Sequence, residues 1–292
     1  MKIVDIHTHG IGGYDTRTSD VSHILKIAEL HGMHGTGEIA LSVYPATIPI
    51  MRGNMELIRQ AIAAQAASTV ASTPDGQTAA RIIGLHLEGP FVNPMKAGAL
   101  NSLPFLDPDV SRLHELIDGY EDIIRIITVA PELPGAHQLI RAIVNKGIRV
   151  NMGHSDATYA EAEAGFHSGA TGIAHMFNAM KGFHHREPGL AGFGLMNREV
   201  YVEIIGDPFH LHPETIRLVF AVKPADRIIL VSDSVRNTHA FLQPEAVTDA
   251  HGKLLGGGLT LAEAYDYLVR TGLDKDSILK SITENPERYI TP

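Results

Sequence analysis

Eight stretches of this chain run apolar and then stop on a polar residue able to bind metal or substrate: residues 2–9, 37–47, 82–88, 123–132, 148–154, 171–178, 200–207 and 227–233. Most are followed by a helix-like stretch before the next begins. Strands buried on both faces and alternating with helices form parallel sheets, and eight such units close into a (β/α)8 barrel. In that fold the carboxyl ends of all the strands meet at one mouth, so terminal residues far apart in sequence become neighbours. The expected architecture is α/β, one TIM barrel over residues 1–292 with C-terminal helices. The expected class is an enzyme.

Length and composition fit that expectation. Such a barrel takes roughly 250 residues, and the chain has 292, with 44% hydrophobic and 20% charged residues. Little remains for a second domain. No run of eighteen or more apolar residues occurs, and the start MKIVDIHTHG carries histidines where a signal peptide needs its apolar stretch, so a soluble, cytoplasmic protein is expected. With no cysteine, any transition metal must be held by imidazole and carboxylate. A formal charge of −9 opposes binding to nucleic acid or an anionic membrane. A small phosphorylated substrate is still allowed in a local cationic pocket.

Helices are expected over residues 19–32, 51–69, 107–117, 136–146, 157–168, 260–270 and 274–283, with Asn285-Pro286 ending the regular pattern. The long glycine- and proline-rich breaks, 89–104, 181–194 and 236–258, read as mouth-side loops, where a barrel makes its substrate contacts.

Within Asp5-Ile6-His7-Thr8-His9, alternation along a strand turns His7 and His9 to the same side, about 7 Å apart. An isolated HxH is as often two ordinary histidines, but this one ends the first strand, with Asp5 available to support a ligand. Glu88 ends the third strand just before Gly89-Pro90 turns the chain away. His154 ends the fifth, with Ser155 or Asp156 as the cap of the next helix, and His175 and Asn178 end the sixth. A lone strand histidine is usually structural. Convergence of Glu88, His154 and His175 from three strands is what a metal site requires.

HxH at the end of strand one is the pattern of the amidohydrolase superfamily, and GLHLEGPFVNP, GHSDAT, HMFNAM, HHREPGLAG and LVSDS occur here in order over nearly the whole barrel. Together they resemble the N-acetylglucosamine-6-phosphate deacetylase family. The resemblance implies a divalent metal, zinc or iron, on Glu88, His154 and His175, with His7 and His9 completing that site or holding a second ion. It implies Asp233 as the acid/base, where a bare sequence reading also allows a helix cap. It assigns substrate contacts to Ala99, Asn178, Ala179, Arg186, His210 and Leu259, with Arg186 and His210 on the phosphate. It further implies a small-molecule amino sugar phosphate as partner, acetate as product, and a homodimer in which the Arg186 loop reaches the neighbouring subunit's site. Four departures stand out. The strand-rich segments that make a small β-sandwich in the family have no counterpart here, Leu100 stands where a polar residue is usual, Pro208 replaces a glycine, and the segment after Asp233 is short.

Two alternatives accompany this reading: a two-metal phosphodiesterase or nuclease barrel that also begins with HxH, and a sugar-phosphate binding protein without turnover. Gly256-Gly257-Gly258 lacks the lysine and hydroxyl of a phosphate cradle and reads as a turn into the last helices.

Overall fold

Eight parallel strands pair in chain order: β1 (Ile3–Thr8), β2 (Thr36–Val43), β3 (Arg81–Leu87), β4 (Ile124–Val129), β5 (Arg149–Met152), β6 (Gly172–Ile173), β7 (Tyr201–Ile205) and β8 (Ile228–Val231). In this computed structural model, residues 2–67, 79–100, 104–240 and 245–291 are described. Just beyond β8, the Asp233 amide donates to the His7 carbonyl at 2.9 Å, and the His9 amide donates to Ser234 O at 2.7 Å. The last strand thus meets the first, and the sheet is a nearly closed TIM-type barrel.

Period-two alternation sorts the strand residues into two cores. Ile228 and Leu230 of β8 join a large cluster that includes helix residues such as Ile24, Met55 and Leu139. Their neighbours Ile229 and Val231 join a second cluster with Val4, Ile6, Ala40, Ile126 and Ile205. Since the first cluster holds the helices, the second fills the barrel interior. Tyr289 reaches into it from the C-terminal helix.

The eight expected strands all form, but each regular strand stops one or more residues before the polar group that marks its end. Residues 171–178 shrink most, to Gly172–Ile173, and the chain from Ala174 to Met180 runs in turns and a bridge. The helices are α1 (Val21–Met33), α2 (Ile48–Ala67), α3 (Val110–Ile117), α4 (Ala136–Asn145), α5 (Tyr159–His167), α6 (Gly189–Met196), α7 (Pro213–Val222), α8 (Leu261–Arg270), α9 (Lys275–Ile282) and α10 (Glu284–Ile290). The last two residues of the expected 51–69 helix lie outside the described residues.

Three expectations are corrected. Neither Ser155 nor Asp156 caps α5, because Thr158 forms a capping box with Glu161 and the Ser155 hydroxyl donates to Glu132 instead. Pro286 does not end the helices. It sits in the first turn of α10, where an amide hydrogen has no intrahelical partner to lose. Finally, α6 begins inside the expected 181–194 loop and runs on to Met196; Gly189 through Leu195 are all buried, so no polar face gave it a helical period. No helix among the described residues is long and apolar enough to cross a membrane.

Candidate active site

The strand ends at the mouth are held in an unusual backbone state. His154, His175 and Asp233 have φ of 46°, 26° and 46°, and Phe177 and Ala179 have 77° and 48°. Left-handed conformations are uncommon for non-glycine residues and cluster where a side chain must be aimed. Gly257 makes one such placement possible. Its amide donates to Asp233 O at 2.7 Å, and a Cβ there would lie 1.8 Å from Ser232 O, so only glycine allows the chain to pass beside Asp233. The glycine triplet therefore supports the mouth rather than simply turning toward α8.

Glu88 is the hub. Its Oε1 lies 3.1 Å from His154 Nε2, 3.2 Å from His175 Nε2 and 3.3 Å from His7 Nε2, while Oε2 lies 3.2 Å from His9 Nε2. Asp233 Oδ1 stands 3.6 Å from His7 Nε2 and 3.7 Å from His9 Nε2. Burial alone would push the Glu88 carboxyl up, but the imidazoles of His9, His154, His175 and His7 hold it well below the usual range. For His7, burial opposes the charged form, yet Asp233, Glu203 and Glu88 together raise it well above an ordinary histidine, so a cation binding at Nε2 would displace a proton there.

The outer ring nitrogens fix which atoms face inward. A carbonyl can only accept, so His154 Nδ1 donates to Lys96 O at 3.0 Å and its Nε2 presents a lone pair. Likewise His7 Nδ1 donates to the Glu203 carboxylate at 3.1 Å, leaving Nε2 buried without a hydrogen-bond partner. The Nε2 atoms of His154 and His175 are only 3.1 Å apart and share Glu88. Lone pairs and carboxylate oxygens crowded into a dry region are the donor set of a cation. Two overlapping groups result, His7/His9/Glu88/Asp233 and Glu88/His154/His175, with the donor atoms of each within 4.8 Å of one another. The residues present thus fit a divalent metal.

A cavity of about 380 Å³ opens above this floor, lined by Tyr44, Ala99, Leu100, Asn178, Ala179, His210 and Lys253 together with His9, Glu88, His154, His175 and Asp233. His210 Nδ1 donates to Asp207 at 3.0 Å, which leaves its other nitrogen for a ligand. Although burial opposes it, the Asp207 carboxylate raises the His210 pKa. Leu259 does not line the cavity; it is buried beside a groove with Pro208, Phe209 and Glu263. Arg186 does not line it either. It is exposed, with its guanidinium on His185 at 3.1 Å.

Sequence reasoning proposed Asp5 as the support for a ligand, but Asp5 accepts from backbone amides of His7 and Ser232 and makes no hydrogen bond to an imidazole among the described residues. Burial pushes its carboxyl up to about 6. The supporting role toward His7 falls to Glu203, which was missed. Its second oxygen accepts from Asn151 Nδ2 at 2.6 Å, and Asn151 Oδ1 in turn accepts from Tyr289 OH at 2.6 Å. A lone acid inside the apolar run Val202-Glu203-Ile204-Ile205 was the available signal. Tyr44, which stacks on His9 at 3.9 Å between centroids, and Lys253 were also missed.

A TIM-type barrel with an HxH pair, a hub carboxylate and two further histidines at its strand ends defines the amidohydrolase class, and cluster and fold together suggest a divalent metal. No family model matches the chain. It is 32% identical over 300 residues to N-acetylgalactosamine-6-phosphate deacetylase of Escherichia coli O157:H7, covering 98% of this chain and 76% of that protein. To N-acetylglucosamine-6-phosphate deacetylase of Bacillus subtilis it is 35% identical over 234 residues, covering 80% and 57%. Its structure matches that of the Mycobacterium smegmatis N-acetyl-D-glucosamine-6-phosphate deacetylase, solved with N-acetyl-D-glucosamine-6-phosphate, with a TM-score of 0.85, 26% identity and coverage of 99% and 77%. The chain belongs to the N-acetylglucosamine-6-phosphate deacetylase family. It spans 57% to 76% of the length of these two curated relatives.

Proposed function

We propose that the chain is a metal-dependent hydrolase that removes the acetyl group from an N-acetylated amino sugar phosphate, N-acetylglucosamine 6-phosphate first among candidates, releasing acetate and the amino sugar phosphate. The observation that carries this reading is the Glu88/His154/His175 cluster with Asp233 beside it. We further propose zinc or iron as the metal. Glu88, His154 and His175 would hold one ion, and His7, His9 and Asp233 would complete that site or hold a second.

When bound, such an ion lowers the pKa of a water to about 7 and polarises the acetyl carbonyl. Asp233, aimed into the cavity, would accept a proton from the attacking water as the water oxygen bonds to the carbonyl carbon. As the C–N bond breaks, Asp233 returns the proton to the departing nitrogen, so the amine leaves neutral. Asn178, Ala179 and Ala99 line the wall along which the sugar ring lies, and His210, protonated on both nitrogens beside Asp207, supplies a donor there. The exposed His184-His185-Arg186 segment suits a contact with a second copy, and a homodimer in which Arg186 reaches the neighbouring site is part of this proposal.

The test is acetate release by the metal-loaded protein from N-acetylglucosamine and N-acetylgalactosamine, each with and without a 6-phosphate. Acetate from at least one phosphorylated sugar, abolished by chelation, is expected. Release of phosphate with no acetate would replace this reading with a phosphodiesterase-type one, and binding without turnover would leave only a binding protein.

A further inference from the structure

Among the described residues, Lys253 is the one lysine or arginine that lines the cavity above Glu88. Three other cations near the mouth already have partners. Lys96 and Lys181 both meet Asp156, at 3.0 and 3.6 Å, and Arg17 is bound by Asp15 through two nitrogens at 2.9 Å. The Arg186 guanidinium lies outside the cavity. Lys253 forms no ion pair within the described residues; its ammonium donates to a neutral carbonyl, Gly98 O, at 2.5 Å.

The position is built rather than incidental. Lys253 lies in a small hairpin whose strands are Val247–Thr248 and Leu254–Gly256. Asp249 ties the turn by accepting from the amides of His251 and Lys253 at 2.8 and 3.0 Å. The second strand packs against the turn Gly98–Leu100, and the chain beyond it is pinned at Gly257 to Asp233. Lys253 therefore reaches over the wall where Leu100 offers no polar group.

We infer that Lys253 is the anion anchor of this cavity, a specificity-determining residue that holds the phosphate monoester of the sugar substrate while the acetamide lies over Glu88 and Asp233. A phosphate oxygen is a far stronger partner for an ammonium than a backbone carbonyl, because both groups are charged. The Lys253 ammonium lies on the rim above Glu88 and Asp233, and His210, in the doubly protonated form that the Asp207 carboxylate favours, adds a second charge-assisted donor on the same lining. This rests on the deacetylase reading and adds to it a cation supplied by the chain itself, independent of Arg186.

The experiment compares wild type, Lys253→Met, Lys253→Arg and Arg186→Ala by the ratio of kcat/KM for N-acetylglucosamine 6-phosphate to that for N-acetylglucosamine. Lys253→Met is expected to lower this ratio about 10- to 100-fold, mainly through KM, and Lys253→Arg to restore most of it. An unchanged ratio, including equal losses on both sugars from a loosened hairpin, overturns the anchor, as does a ratio that responds to Arg186→Ala alone. If wild type releases no acetate from either sugar, the deacetylase reading fails separately. Calorimetric binding of glucosamine 6-phosphate and glucosamine then decides the anchor: a phosphate preference lost in Lys253→Met supports it, and equal affinities in wild type overturn it.

Discussion

At the scale of single residues, the site depends on which hydrogen each polar atom carries. Asp233 holds φ of 46°, a conformation that asparagine also tolerates, so Asp233→Asn keeps backbone and shape while removing the capacity to accept and return a proton. A positioned acid/base contributes about 100- to 10,000-fold. Steady-state kinetics of the metal-loaded variant are therefore expected to show kcat lower by at least about 100-fold with the metal retained. Turnover within a few-fold of wild type, with only thermal stability reduced, would mean that Asp233 is structural. Glu203 poses a different test. It accepts from His7 Nδ1 with one oxygen and from Asn151 Nδ2 with the other, so a glutamine must turn its NH2 toward one of two donors. Such supporting carboxylates are worth about 10- to 100-fold in metal affinity. Metal titration of Glu203→Gln is expected to show that loss while circular dichroism is unchanged, and wild-type affinity would remove Glu203 from the metal's support.

At the scale of elements, the strand pattern was legible because buried parallel strands are apolar on both faces, and the polar group at each end was legible because it breaks that run. Where the strand itself stopped was not. The left-handed turns at His154, His175 and Asp233 end the pairing early, and no propensity marks a strained residue. Helix α6 escaped because Gly189 through Leu195 are buried on every face, and α10 because a proline in a first turn reads the same as a proline after a last one. The end of α7 carries a pH-dependent contribution. Lys223, its C-cap residue, is buried and donates to Asn197 O. Burial pushes its ammonium down to about 7, with repulsion from Arg227 and Arg198 adding to the effect. The folded protein thus holds this proton less tightly than the unfolded chain, whose lysines titrate near 10.5. Between about pH 7 and about pH 10.5 the unfolded state binds more protons, so stability rises with pH there; below that window the burial cost is fully present. Thermal unfolding should show a midpoint that climbs between about pH 7 and about pH 9.5, with a smaller climb in Lys223→Met. Identical slopes for the two proteins would discount the residue.

At the scale of the whole molecule, one geometric fact assembles the site: all eight strands deliver their carboxyl ends to one mouth. The chain order of apolar runs was enough to determine the barrel, and with it the meeting of His7, His9, Glu88, His154, His175 and Asp233, because closure leaves strand ends no other place to go. The family motifs pointed to Asn178, Ala179, Ala99 and His210, and all four line the cavity. Only the tertiary structure decided the rest. It set Arg186 and Leu259 outside the cavity, exchanged Asp5 for Glu203 behind His7, joined Asn151 and Tyr289 to that carboxylate, and brought Lys253 over Gly98. Periodicity reports which side of a strand a residue faces. Which atom lies within 3 Å of another across 155 residues of chain, as Lys253 does to Gly98, is fixed by packing between elements, and that information is not local to any stretch of sequence.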